Sequence, residues 1–336
     1  MSRPRPRVAL ALGAPLLLLA AGPSSAQDEP CGDITIAQMN WASAEVVAEI
    51  DRLILAEGYG CDASLVIGDT VPTFTSMREK GEPDLAPEVW INSIREPLAE
   101  AVDAGELIVG AKLLPDGGVE GWWIPRHVAE ANPDIVTVED ALARPELFPA
   151  PEDPERGAVH GCPAGWTCQH TTENLFRAYG AEERGFELVD TGSSAGLDGS
   201  ISRAVEREEG WLGYYWAPTA LLGRYDLVRL ETPAHDAAEW ERCTGQPECA
   251  DPVPNGYPET DVYSVVTSGF TERAGVAMDY IGRRQWGNDT VNELLAWMAE
   301  EQATGEEGAY RFLETREDVW TTWVDEAVAE RVRDAL

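Results

Sequence analysis

The 336-residue chain carries 25 Lys and Arg against 60 Asp and Glu, a formal net charge of −35 at pH 7. A field of that sign repels nucleic acid and anionic lipid, so neither is expected as a partner. A hydrophobic fraction of 44% supplies a real core and excludes a disordered chain.

Arg3, Arg5 and Arg7 precede an apolar stretch from Val8 to Ala21, and Ser24-Ser25-Ala26 supplies small residues for cleavage. Residues 1–26 therefore read as a signal peptide, with the mature chain beginning near Gln27. The stretch is short and interrupted by Pro15, which argues against a permanent anchor. No cysteine follows the cleavage site directly, which argues against a lipoprotein, and no later segment is apolar for long enough to span a bilayer. The expectation is a soluble periplasmic monomer. The remaining length, about 310 residues, exceeds what one core usually serves, so two lobes are expected.

Residues 31–68 read as strand, helix, strand. Ile34-Thr35-Ile36 and Leu65-Val66-Ile67 are the strands, and Val46, Val47, Ile50, Leu53 and Ile54 mark one helix face. Gly58 and Gly60 end that helix. Thr70 reads as the N-cap of a second helix running to about Lys80, with Pro72 in its first turn. Glu88–Ile91 is a third strand. Such alternation implies a mostly parallel sheet with helices on both faces.

Gly117–Pro125, glycine at one end and proline at the other, has the composition of a strand crossing into a second lobe. There the alternation repeats: a helix at Thr172–Tyr179, a strand at Phe186–Val189, a helix at Ser200–Glu208 and a strand at Trp211–Trp216. The Pro-, Gly- and Cys-rich stretch 243–260 reads as a stapled loop, and Val262–Val266 as the returning strand. The remaining helices, with Val291, Leu294, Leu295 and Met298 on one face, are expected to pack back on the first lobe. Lobe one thus comprises 27–118 and 264–336, and lobe two 119–263, joined by two hinge strands. Ligand sites favour such inter-lobe clefts and the C-terminal ends of parallel strands.

Six cysteines in an exported chain suggest three disulfides. Spacing favours the local pairs Cys31–Cys61, Cys162–Cys168 and Cys243–Cys249, although sequence leaves the connectivity open. The first pair has a geometric argument. Each cysteine lies just before a strand, and adjacent parallel strands sit about 5 Å apart, within disulfide reach.

Twelve tryptophans is a high count. Trp41 opens the first helix, Trp90 ends a strand, Trp122 and Trp123 lie at the crossing, Trp166 lies inside the Cys162–Cys168 loop, and Trp211 and Trp216 bracket Leu212–Tyr215. These positions suit a cleft, and Trp41, Trp90, Trp123, Trp166, Trp211 and Trp216, with Asn40, are the candidate ligand contacts. A quaternary ammonium or sulfonium cannot donate hydrogen bonds, so aromatic ring faces are its natural partners. Trp240, Trp286, Trp297, Trp320 and Trp323 read instead as core. The Gln38–Ser43 loop joins a strand to a helix, where backbone N–H groups suit a carboxylate and Asn40 suits a helix cap.

Asn40-Trp41-Ala42-Ser43-Ala44, the Trp90 strand, Gly117–Pro125, Gly196–Ser200 and Gly213-Tyr214-Tyr215-Trp216-Ala217-Pro218 together resemble the glycine betaine/choline/proline-betaine binding proteins of ABC importers. The similarity runs in the same order over nearly the whole mature chain. It implies a type II clamshell periplasmic binding protein, an aromatic cage made of Trp90, Trp166 and Trp216, and a carboxylate contact at Asn40–Trp41. It also implies membrane permease and ATPase partners and no cofactor. Thr219 stands where some relatives carry a histidine, so glycine betaine, choline, carnitine and dimethylsulfoniopropionate all stay open as ligands.

Three rival readings remain. His160, Cys162, Cys168 and His170 are spaced like a zinc site, against which an oxidising compartment favours the disulfide. Gly192-Ser193-Ser194-Ala195-Gly196 fits a nucleophile elbow, giving a serine hydrolase built on Ser194, Asp226 and His235; the alternative is a flexible turn before the Ser200 helix. Carboxylates beside tryptophans also suit a sugar binder or glycosidase, but with 60 acids close pairs arise without purpose.

Overall fold

Each of two five-stranded sheets in this protein contains one strand that runs against the other four. The computed structural model describes Met1 and residues 31–336. The signal peptide read at 1–26, with Gln27 as the first mature residue, lies outside the described residues.

The strands in chain order are β1 (Asp33–Met39), β2 (Asp62–Gly68), β3 (Leu85–Trp90), β4 (Leu107–Lys112), β5 (Val119–Pro125), β6 (Gly157–His160), β7 (Phe186–Val189), β8 (Gly213–Ala217), β9 (Leu227–Arg229) and β10 (Val262–Thr267). The first sheet has the order β2-β1-β3-β10-β4 and the second β7-β6-β8-β5-β9. The opposing strands are the two that follow a crossing. β5 enters the second sheet antiparallel to β8 and β9, and β10 re-enters the first antiparallel to β3 and β4. The crossings themselves are paired, since Gly118 N–H donates to Thr260 O at 2.9 Å and Leu113 N–H to Val262 O at 2.8 Å.

Local sequence explains the first unit. Ile34 and Ile36 alternate with more exposed neighbours along β1, as a strand with one face on the core requires. The following helix, Ala42–Leu53, buries Val46, Val47, Ile50 and Leu53 on one side. Each such side chain contributes about 1.5–3 kcal/mol when fully withdrawn from water. Asp69 rather than Thr70 is the residue preceding the Thr70–Lys80 helix, and Thr70 is its first residue. That one-residue shift places Thr70 at the open end of the strand layer.

The returning helices pack on the first sheet, with Trp286, Trp320 and Trp323 buried among them and Trp297 partly so. Beneath the sheet lies a fully buried ion pair, Arg284 Nε to Asp51 Oδ1 at 3.0 Å. Tyr280 donates its hydroxyl to the same carboxylate. Burial pushes the Asp51 carboxyl up to about 6, with Arg284 and Tyr280 opposing.

All three cysteine pairs are disulfides: Cys31–Cys61, Cys162–Cys168 and Cys243–Cys249. Cys162 and Cys168 are therefore not free thiolates, and the zinc reading loses two of its four ligands. No helix among the described residues is long and apolar enough to cross a membrane.

Candidate functional site

Four tryptophans from both sheets meet at the C-terminal ends of β1, β3, β6 and β8. Trp41 caps the β1-helix junction, Trp90 ends β3, Trp166 rides in the Cys162–Cys168 loop after β6, and Trp216 lies near the end of β8. Together with Tyr214 they line one cavity between the lobes. Trp166 stands between two of them. Its ring lies 5.0 Å from that of Trp41, inclined at 67°, and 5.1 Å from that of Trp216, inclined at 81°. Tyr214 continues the wall, stacked 6.2 Å from Trp216 with the ring planes inclined at 22°. A spacing of two along β8 puts Tyr214 and Trp216 on one face.

Three of the four indole N–H groups, those of Trp41, Trp90 and Trp166, are spoken for, which fixes those rings. Trp41 Nε1 and Trp90 Nε1 both donate to Glu88 Oε1, at 2.7 and 2.9 Å. Trp166 Nε1 donates to Asn40 Oδ1 at 2.7 Å, a bond from the second sheet's loop to the first sheet's. The Trp90 ring is seated on Gly118, where an added Cβ would stand 2.3 Å from the ring. Gly165, at φ +90°, lets the Trp166 loop fold back against Asp69, and Val71 N–H donates to Gly165 O at 3.1 Å.

Glu120, on β5, is the one charged side chain among the described residues lining the cavity. Its carboxylate accepts from Tyr214 Oη at 2.8 Å, from Asn92 Nδ2 at 2.6 Å and from Thr260 Oγ1 at 3.0 Å. These donors come from β8, from the segment after β3 and from the returning crossing, so one carboxylate ties both sheets to both crossings. Burial raises the Glu120 carboxyl, and the Tyr214, Thr260 and Asn92 bonds pull against that.

Thr70, Thr167 and Cys168 complete the lining. Thr70 and Cys168 are the first residues of two 11-residue helices, Thr70–Lys80 and Cys168–Ala178. Their N-terminal ends bring partial positive charge to the cavity from both lobes.

Two tryptophans expected at the cleft lie elsewhere. Trp211, an odd number of residues before Trp216, points away from it, stacks on His160 at 5.3 Å and donates to Ser200 Oγ at 2.9 Å. Trp123 donates to Tyr215 O at 3.0 Å on the opposite side of β5 from Glu120. Trp122 is buried against Tyr179 in the second lobe's own core. Asn40 is not among the lining residues; it holds Trp166 from behind. Sequence does not single out Glu88, Glu120, Tyr214, Thr70 or Thr167 as site residues. A carboxylate inside an apolar strand, as in Glu120-Gly121-Trp122-Trp123, is the signal that could have found Glu120.

The rival constellations do not assemble. Asp226 is held in a two-pronged pair with Arg126, at 2.8 and 3.0 Å. The ring Nδ1 of His235 meets Gly256 O at 2.9 Å and the ring packs on Trp240. Ser194 is the first residue of the helix Ser194–Glu206, and Ser193 Oγ caps it by accepting from Gly196 N–H at 3.1 Å. The Gly/Ser stretch is thus a helix start, neither elbow nor loose turn. Burial holds the His160 imidazole down to about 4, so it is neutral at pH 7 beside Trp211.

The fold and this inter-lobe cavity define a two-lobed solute-binding protein of the type II periplasmic class. Residues 32–315 match the OpuAC family, described as the substrate binding domain of the ABC-type glycine betaine transport system, and the chain belongs to that family. Among solved structures it is similar to a glycine betaine/L-proline-binding protein (ProX) from Borrelia burgdorferi, with a TM-score of 0.70 at 19% identity over 89% of this chain and 99% of that one. It is similar also to an ABC-transporter choline binding protein in complex with choline, with a TM-score of 0.70 at 16% identity over 91% and 98%. A third is lactococcal OpuAC in its closed-liganded conformation with glycine betaine, with a TM-score of 0.65 at 16% identity over 88% and 100%. At these identities the likeness is one of fold.

Proposed function

We propose that this chain captures a small betaine-type zwitterion, or a related quaternary ammonium or sulfonium compound, in the aromatic cavity between its lobes and delivers it to an ABC permease in the periplasm. The observation that carries this reading is the meeting of Trp41, Trp90, Trp166 and Trp216 at one inter-lobe cavity. Each ring face contributes about 0.5–2 kcal/mol toward a desolvated cation, and Glu120 adds a negative wall. The N-terminal ends of the Thr70 and Cys168 helices favour a carboxylate at the other end of the same ligand. Family membership supports the transport role. Closure would follow from ligand contacts made by both lobes at once, since a ligand biases closure only by its difference in affinity for the open and closed forms.

The test is calorimetric titration of the purified mature protein, freed of co-purified ligand, with glycine betaine, choline, carnitine and dimethylsulfoniopropionate. Saturable one-to-one binding of at least one of them is expected. A folded protein that binds none of the four overturns the reading.

A further inference from the structure

Trp41 and Trp90 reach the cavity from different elements, yet both indole N–H groups end on one atom, Glu88 Oε1. Ser43 Oγ donates to the same oxygen at 2.9 Å. Glu88 is 1% exposed, and its second oxygen, Oε2, has no hydrogen-bond partner. A buried carboxylate with one bare oxygen is costly, whereas orienting two indoles requires only a neutral acceptor such as a glutamine carbonyl. The negative charge therefore needs a use beyond holding the rings.

Burial raises the Glu88 carboxyl, and the Trp90, Trp41 and Ser43 hydrogen bonds together with the nearby Arg284 charge pull against that. Arg284, the cation behind β3, is already committed to Asp51 at 3.0 Å and donates to Ser264 Oγ and Pro87 O. On the cavity side the one charged lining residue is Glu120, of the same sign as Glu88. A hydrogen bond from an indole N–H to a carboxylate leaves the ring more electron-rich. The attraction between a cation and a ring is electrostatic and grows with the negative character of the ring face.

We propose that Glu88 is a specificity-determining residue whose charge, transmitted through the Trp41 and Trp90 indoles, makes the cavity select a cationic head over a neutral group of the same shape. The inference rests on the function proposed above and deepens it, separating selection by charge from selection by fit.

The experiment measures binding to two matched pairs, direct or by competition: choline with 3,3-dimethylbutan-1-ol, and glycine betaine with 3,3-dimethylbutanoate. In each pair a tert-butyl group replaces the trimethylammonium head with the same shape and no charge. In the wild-type protein at least one quaternary ligand should bind more than about tenfold tighter than its isostere, the worth of roughly one strong ring–cation contact. Glu88→Gln keeps an acceptor for the indoles, and should weaken the quaternary ligand about tenfold or more while changing the isostere less than about threefold. Equal losses for both members would mean a merely structural Glu88, and no loss for either would mean an idle one; each overturns the inference while the proposed function stands. The wild-type comparison does not depend on the variant folding: a quaternary ligand and its isostere bound within threefold of each other overturn it as well. Binding of no quaternary ligand by the wild type removes the proposed function and this inference together.

Discussion

Trp166, carried on a disulfide-closed loop of the second lobe, donates its indole N–H to Asn40 Oδ1 of the first lobe at 2.7 Å. A ring wall of the cavity is thereby also a latch between the lobes. Asn40→Ala should weaken ligand binding by about 1 kcal/mol, near fivefold, with the lobes' own stability scarcely altered. Calorimetry beside small-angle scattering of the ligand-bound form would check this, the variant showing a larger open fraction at equal ligand.

Trp216 is flanked by Trp166 and Tyr214, so its removal opens one side of the cavity while leaving both sheets paired. Trp216→Ala should cost about 2–4 kcal/mol of binding free energy, from one ring–cation contact plus the desolvation it enforces. Titration of the variant gives the loss directly, and an unchanged affinity would refute its place in the cage.

Gly118 bears the Trp90 ring directly, and a methyl group there would stand 2.3 Å from a ring atom. The tryptophan cannot swing aside without releasing its bond to Glu88. Gly118→Ala should therefore misplace the ring, with an overpacking cost of about 1–3 kcal/mol. The readouts are a lower melting temperature and about a tenfold or greater fall in affinity, the second absent if the ring simply tilts in place.

Asp198 sits on the Ser194–Glu206 helix and accepts from Tyr215 Oη at 2.7 Å. Burial pushes its carboxyl up to about 6, with the Tyr215 bond pulling down. The folded form therefore holds this proton more tightly than the unfolded chain, whose aspartates titrate near 4. That preference stabilises the fold at acid pH and is lost as pH rises from about 4 through about 6. Asp198→Asn should remove this part of the pH dependence, so that relative to wild type it gains about 1–2 kcal/mol between pH 4 and pH 7. Denaturant unfolding of both proteins at the two pH values checks the sign.

The Cys162–Cys168 bridge closes a short loop around Trp166. For so short a loop the constraint on the unfolded chain is worth about 2 kcal/mol. Cys162→Ser with Cys168→Ser should lower stability by that order and, because Trp166 is then free to leave the cavity, weaken binding as well. Thermal unfolding and titration of the double variant separate the two effects.

Much of the fold was legible from hydrophobic period and punctuation alone. Phe186–Val189 is a strand with the bounds read for it, and Val46, Val47, Ile50 and Leu53 bury one helix face as their spacing requires. The strands that escaped notice are β4, β6 and β9, of which Gly157–His160 and Leu227–Arg229 are only four and three residues long. Gly157–His160 is buried throughout and so shows no alternation, and three residues at Leu227–Arg229 carry no period; pairing with β7 and β8, and with β5, makes them strands.

The sequence by itself determined the composition of the site: tryptophans at the ends of strands, cysteines spaced for local bridges, and small residues at the crossings. Which tryptophans share a cavity was decided by tertiary structure. Trp41, Trp90, Trp166 and Trp216 converge because two sheets close on each other at their C-terminal edges, whereas Trp211 and Trp123 fall on other faces. Glu88 and Glu120 show the same division from the other side. Among 60 acidic residues nothing local distinguishes them. Only burial, which strips water from a carboxylate and forces it to find indole, amide and hydroxyl donors, turns one of these glutamates, Glu120, into a wall of the aromatic cavity and the other, Glu88, into the acceptor that holds two of its rings.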